Sequence, residues 1–285
     1  MAAGTVTDIA SAALANYVPV LTSNKVLDFV EKNLVAWKCI DTSWGEEFNG
    51  NKGDTLTINP LLEISAAAVN TAAAPTVYDT DQGAPTQLIV NQWYEAVFGV
   101  NDFQKMVGVD YEQKAIPKLG YAIAKVIDAS VTGLFNAFSQ SVGTEGIAVD
   151  YDTLLDAKAY LDAADAPEDD RFLFIDPETL TDLMKDDRFT SSLYNAGGAV
   201  AKGFIGQSKV LNATVMMTGN LEAINTNYHG AAFFQREAIA GVMKKDVSYT
   251  TWREESRYTT FHRAMAIWGL VEVRDTFGVW IKTRS

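Results

Sequence analysis

The sequence predicts an α+β fold with one long spine helix, an extended β-loop before it and a group of strands that closes the chain. Three observations carry that expectation. From Asp110 to Val142 the apolar residues Ile116, Leu119, Ile123, Val126, Ile127, Leu134, Phe135 and Phe138 recur at three- and four-residue steps, which marks one buried helical face. Between Gly45 and Gln104 the pattern changes to short alternating runs separated by small residues. From Val247 to Thr283 polar and apolar residues alternate through three strand-length runs, the middle one long, and these need a helix across one face.

Composition sets the outer bounds. A chain of 285 residues that is 48% hydrophobic can bury a sizeable core. Its formal net charge of -13 argues against a protein that grips nucleic-acid phosphates, which needs clustered Lys and Arg. The only cysteine, Cys39, excludes an internal disulfide and a thiolate zinc cluster, and reads as a buried, idle thiol. The longest apolar run, Ala264 to Val271, is far too short to span a membrane. The first residues carry no cationic lead and include Asp8, so they do not resemble a secretory signal, and the expectation is a soluble protein made in the cytoplasm.

Taken in order, the chain first offers an amphipathic piece, NKVLDFVEKNLVAWK, with Val26, Phe29, Val30, Leu34 and Trp37 on one side of a short helix. Thr55 to Asn59 alternates Leu56 and Ile58 with polar residues and stops at Pro60; Thr86 to Phe98 is a second, stronger strand. Between them lies EISAAAVNTAAAPTVYDTDQGAP, where small side chains leave little to pack. The expected object is a two-stranded arm with a soft tip. A lone ribbon is marginal in water because neither face has a core, so a neighbouring copy is expected to cover it.

Charge points the same way. No Lys or Arg occurs between Lys52 and Lys105, whereas Asp54, Glu63, Asp79, Asp81, Glu95 and Asp102 do. An acidic arm resting on protein should meet a basic surface, and the last third supplies Lys244, Lys245, Arg253, Arg257, Arg263, Arg274, Lys282 and Arg284. The intersubunit contacts expected on this basis are Leu56, Ile58, Glu63, Asp79, Asp81, Trp93 and Tyr94 from the arm, with Arg253, Arg257 and Arg263 opposite.

The spine helix is expected to start at Asp110 with a capping box to Gln113, to kink at Pro117 and to stop at Gly143 and Gly146, a rod of roughly 50 Å. Tyr151 to Ala164 reads as a second amphipathic helix, followed by the turn APEDD, the buried strand RFLFID and a helix, PETLTDLMKD, opened by Pro177. Residues 186–207, with GGAVAKGFIG, read as a loop. Strands are expected at Thr214 to Met217, Ala231 to Gln235 and Ile239 to Met243.

A search for catalytic chemistry returns no GxGxxG, Walker loop, GxSxG elbow or HExxH. Asp79, Asp81 and Gly83 lack the third ligand and closing Glu of a calcium loop, and Glu168, Asp169 and Asp170 read as solvated charge. Of the two histidines, His229 falls in an expected turn and His262 in the middle of an aromatic strand, where a structural role is expected. No catalytic residue, cofactor or metal ligand is assigned.

The order of parts is more telling than any residue. The arm ending QLIVNQWYEAVFGVNDFQ, the spine helix, the insertion opening RFLFIDPETLTDLMKDDRF, the segment GFIGQSKVLNATVMMTGNL and the closing GLVEVRDTFGVWIKT resemble the major capsid proteins of tailed bacteriophages, with the Hong Kong 97 fold. That resemblance implies an N-terminal arm over 1–44, an extended loop over 45–105, and a spine helix of a peripheral domain over 106–145. It further implies an axial domain over 146–243 and peripheral strands over 244–285. It implies a structural protein of the virion rather than an enzyme, partnering itself in pentamers and hexamers of an icosahedral shell around double-stranded DNA held by weak contact. A scaffolding protein, a portal and a decoration protein are further implied partners; a nanocompartment shell of the encapsulin type and a soluble α+β enzyme are the alternatives. Some members of the family join a loop Lys to a neighbour's Asn, and here only Lys52, at the loop's base, could serve. The expected shell therefore lacks that crosslink: hot detergent should reduce assembled particles to a single monomer band on a gel, and a surviving ladder of multimers would refute it.

Overall fold

Alternation in the last third of the chain does build strands, and they divide between two sheets. The computed structural model describes residues 35–48, 53–59, 84–107, 112–185, 209–221, 223–225 and 228–284. The smaller sheet has three antiparallel strands in the order β10-β11-β3: β3 is Gln92–Asn101, β10 Ile239–Glu254 and β11 Thr259–Glu272. Helix α3, Glu112–Thr132, covers one face of it. Leu119, Ile123 and Ile127 of α3 pack on Ala264, Ala266 and Trp268 of β11, so the even-numbered residues at the centre of β11 face the helix.

The spine is shorter than its periodicity predicts. Its 21 residues span about 31 Å, and the chain turns away at Gly133 and Leu134. Phe135 and Phe138, which extend the helical pattern, instead enter a second core, where Phe135 meets Phe174 and Phe234 at ring distances of 5.4 and 5.3 Å. Tertiary packing of two aromatic rings thus wins over helical continuation. Gly143, expected as the helix stop, follows β4 (Gln140–Val142) with φ of 80°, and a Cβ there would lie 2.5 Å from the Lys282 carbonyl oxygen. Pro117 is inside the helix; Asp110 lies outside the described residues.

The second core fills the larger sheet, in the order β4-β12-β9-β5-β7-β6, with β8 beside β9. Here β5 is Arg171–Ile175, β6 Lys209–Val210, β7 Ala213–Met217, β8 Ala223–Asn225, β9 Tyr228–Gln235 and β12 Gly278–Lys282. Helix α4, Tyr151–Ala163, starts where Asp150 accepts from the Thr153 N–H at 2.9 Å, and it buries Leu154, Ala157 and Leu161. Helix α5, Pro177–Leu183, starts with Pro177 in its first turn and Asp176 as its cap. Arg171, fully buried, ties the α4–β5 turn together through Asp162 and the carbonyls of Ala166 and Pro167. His229 lies on β9 rather than in a turn, and β12, grouped by sequence with 244–285, belongs to this larger sheet.

The expected strand over Thr86 to Phe98 is two strands. β2 (Thr86–Ile89) pairs with β1 (Thr55–Ile58) as the base of the arm, whereas β3 leaves the ribbon and joins β11. The break falls at Val90, whose N–H donates to the Asp54 carbonyl oxygen at 2.7 Å. The ribbon base is not bare: Ile58 and Leu88 pack on Phe48 of α1 (Gly45–Phe48) and on Ala240 and Val242 of β10. The expectation that a ribbon has no core of its own therefore fails at the base, while residues 60–83 lie outside the described residues. Gly269 makes this seat fit, because a Cβ there would meet the Ile89 carbonyl oxygen at 2.3 Å. Gly269→Ala should lift the ribbon base off the sheet and lower stability by about 1–3 kcal/mol, read from the urea midpoint of the subunit.

Where the two sheets join, Glu272 ends β11 and is hydrogen-bonded to Asp275, which accepts the Ser139 N–H at 2.7 Å. Burial, then the hydrogen bond and charge of Asp275, push the Glu272 carboxyl up to about 7. The folded subunit thus holds a proton that the unfolded chain releases in the ordinary carboxylate range. Its contribution to stability is full below that range and is lost as pH rises through about 7. Glu272→Gln should flatten this dependence: urea midpoints at about pH 5 and about pH 8 should converge in the variant and differ in the parent, the acid value being higher.

Candidate intersubunit surface

The face of the three-stranded sheet turned away from α3 carries apolar side chains that the described residues leave exposed, Trp93, Val97 and Trp252 among them. Odd-numbered residues of β11 point to it, and strand register brings Trp93, Glu95 and Val97 of β3 and Trp252 of β10 to the same side. At the Gly269 end the ribbon base covers this face. Beyond it, the rings of Trp252 and Phe261 stack at 5.2 Å and the Arg263 guanidinium lies 5.2 Å from the Trp252 ring. Trp93 is 70% exposed and Val97 43%. Among the described residues no helix covers this part of the face, and exposed apolar side chains grouped on one face mark a candidate interaction surface.

The residues expected at intersubunit contacts fall into three groups. Trp93 is on the open face, while Tyr94 is on the α3 side at its margin, stacked on Trp268 at 5.3 Å yet 44% exposed. Leu56 and Ile58 sit at the ribbon base, where Ile58 is buried within the subunit. Glu63, Asp79 and Asp81 lie outside the described residues.

The three arginines have acids within their own chain. Arg253 forms a two-pronged pair with Asp102 at 3.0 and 2.7 Å and reaches Glu255 at 2.6 Å; Arg257 lies 3.5 Å from Glu254, and Arg263 3.5 Å from Glu95. Those hydrogen bonds hold Asp102 below the usual carboxylate range and raise the Arg253 guanidinium above its ordinary value. Glu95 and Asp102, read from sequence as charges seeking another subunit, thus have partners at home. Arg274, Lys282 and Arg284 likewise meet Glu237, Glu145 and Asp182.

Sequence reasoning missed the end of this sheet. Helix α2, Asp102–Val107, and the β10–β11 turn expose Phe103, Met106 and Tyr258, the last with φ of 49°. The three-residue spacing of Phe103 and Met106 was the available signal.

Groups able to do chemistry are engaged structurally. His262 is buried, with the Tyr249 hydroxyl 2.6 Å from Nδ1, Glu112 Oε1 3.0 Å from Nε2, and Phe98 stacked on its ring. Burial pushes the Cys39 thiol up to about 12, and its Sγ donates to the Val35 carbonyl oxygen. Asp128 of α3, 2% exposed, accepts from the Ala36 N–H at 2.7 Å and so ties the entering chain to the spine; burial raises its pKa. A cleft of about 880 Å³ beneath the ribbon base is lined by Asp41, Asn59, Thr86, Arg236 and Arg274, with Arg236 Nε already on the Ile40 carbonyl oxygen at 3.2 Å. Among the described residues no three His, Cys, Asp or Glu side chains gather as a metal site.

Neither a family model nor a curated protein matches this sequence. Solved structures do match over nearly the full chain. A structure of Mycobacterium phage Che8 superposes with a TM-score of 0.80 at 18% identity, covering 94% of this chain and 98% of that one. The capsid structure of the cyanophage P-SCSP1u gives 0.75 at 14% identity, with 94% of each chain covered. The capsid of a native GTA particle computed with C5 symmetry gives 0.68 at 13% identity, covering 99% of this chain and 100% of that one. With its spine helix across a three-stranded sheet, a larger mixed sheet and a ribbon between α1 and β3, the chain has the fold of phage capsid and head proteins, the Hong Kong 97-like α+β fold.

Proposed function

We propose that this protein is the major capsid subunit of a tailed phage, a structural protein whose activity is self-assembly. The observation that carries this reading is the uncovered aromatic face of the β10-β11-β3 sheet, on a fold that solved phage capsids share. In the assembled shell, residues 60–83 of one subunit lie over its neighbour, and Trp93, Tyr94 and Leu56 contribute contact surface. Glu63, Asp79 and Asp81 bring negative charge to the region of Arg253, Arg257 and Arg263. Because each arginine has an acid at home, those contacts steer and orient more than they bind.

Subunits grouped in fives and sixes close an icosahedral shell around double-stranded DNA, and the net charge of -13 suits a container that does not grip its contents. The protein is made in the host cytoplasm and ends in the virion. It turns over no substrate, and His262 and Cys39 serve the fold. No helix among the described residues is long and apolar enough to cross a membrane.

The test is the purified protein at rising concentration, followed by sedimentation and negative-stain microscopy. Closed shells or rings of five and six are expected. Replacing residues 65–83 by a short linker should leave the thermal midpoint within a few degrees of the parent and abolish shells. Intact shells from the shortened chain would remove the arm as the clamp, and a parent that stays a solitary globule at every concentration would overturn the capsid reading.

A further inference from the structure

The three-stranded sheet has two outer edges, and only one is protected against pairing. Along β10 the register shifts twice, between Met243 and Lys245 and between Lys245 and Ser248, and the edge carries exposed Lys244, Lys245 and Asp246. Bulges and charges of this kind prevent a second strand from docking. β3 has no bulge and a single charge, Glu95. Its ten residues run in unbroken register with β11 from Gln92 to Asn101 without a Pro, Lys or Arg.

Backbone parity shows what that edge offers. Asp102 N–H donates to the Tyr258 carbonyl oxygen at 2.9 Å, continuing the β3–β11 ladder, so the even-numbered residues of β3 turn their main-chain groups to β11. The odd-numbered residues Trp93, Glu95, Val97 and Gly99 turn theirs outward. Asn101 N–H, next in that series, is taken by Gln104 Oε1 at 3.3 Å. The other four have no backbone partner among the described residues. They span about 20 Å, enough for a five- or six-residue strand.

We infer that β3 is a docking edge for a second copy of this chain, whose extended segment adds as a fourth strand through the outward main-chain groups of Trp93, Glu95, Val97 and Gly99. This rests on the self-assembly proposed above. Charge favours the site: two chains of net charge -13 repel overall, and ground with little charge of its own adds nothing to that repulsion. The β3 edge carries one charged side chain, Glu95, already beside Arg263. Main-chain pairing needs no complementary charge, and the edge is continuous with the open face bearing Trp93 and Val97. Because the docking segment is a different part of the second copy from β3, the contact is head-to-tail, the kind that generates rings.

Two measurements test this. Hydrogen exchange of the parent protein should show the amides of Trp93, Glu95, Val97 and Gly99 exchanging freely in the dissociated subunit and slowing at least about tenfold in the assembled particle. Val97→Pro removes an outward donor without breaking a bond to β11, so it should fold and yet lower particle yield by about tenfold or more, while Val97→Thr assembles as the parent does. Equal exchange in both states overturns the inference, as does full particle yield from folded Val97→Pro. If Val97→Pro fails to fold, the parent's exchange decides. Protection that appears only when a different protein is added would exclude a second copy as the occupant. A parent that never assembles overturns the capsid reading as well, whereas an assembling parent with an unprotected edge overturns this inference alone.

Discussion

The contact on which the rest depends is the seat of the spine helix on the three-stranded sheet, Leu119, Ile123 and Ile127 against Ala264, Ala266 and Trp268. Burying each of the three aliphatic side chains contributes about 1.5–3 kcal/mol, a large share of the whole margin of a folded domain. The fully buried Trp268 adds the largest apolar area in this cluster. That seat uses one face of the sheet. A sheet covered on one side by a single helix leaves its other face to water or to a partner, and here that face is aromatic. Incompleteness on one side is thus a consequence of how the first side is satisfied.

The two sheets are interleaved in sequence. The chain crosses between them at Arg236–Ile239 and at Glu272–Gly278, and the turn after α3 meets the second crossing through the Ser139–Asp275 bond. Val273 and Arg274 both donate to the Ala238 carbonyl oxygen, so the crossings are bonded to one another. Local charge is matched inside the subunit: Arg284 grips Asp182 at 2.6 and 2.7 Å, and Arg253 grips Asp102. The exposed Arg253–Asp102 pair contributes little stability, whereas Asp182 is buried, and both pairs leave few cations seeking partners elsewhere.

Much of this was readable in the residues. The core face of α3 over Leu119, Ile123 and Ile127, the buried run RFLFI, the Pro177 start of α5 and the long middle strand of the closing group follow from periodicity and turn chemistry, although α3 ends ten residues before its expected stop. The failures share a cause. Phe135 and Phe138 fit the helical spacing but are drawn into the other core by Phe174 and Phe234. Thr86 to Phe98 reads as one strand because the break at Val90 is made by Asp54 and Gly269, residues remote in sequence. The basic surface looked unmatched because the acids on Arg253 and Arg263, Asp102 and Glu95, lie over a hundred residues upstream. In each case a tertiary contact outweighs a local pattern, which a linear reading does not see.

The account stands or falls on whether the bare side of the sheet becomes an interior. Hydroxyl-radical footprinting of Trp93 and Phe261, in the dissociated subunit and in whatever particle the protein forms, reads that directly. Strong modification of both rings in the subunit and a marked fall in the particle is the result predicted here. Equal modification in the two states would mean that the aromatic face meets only water, and would contradict the account.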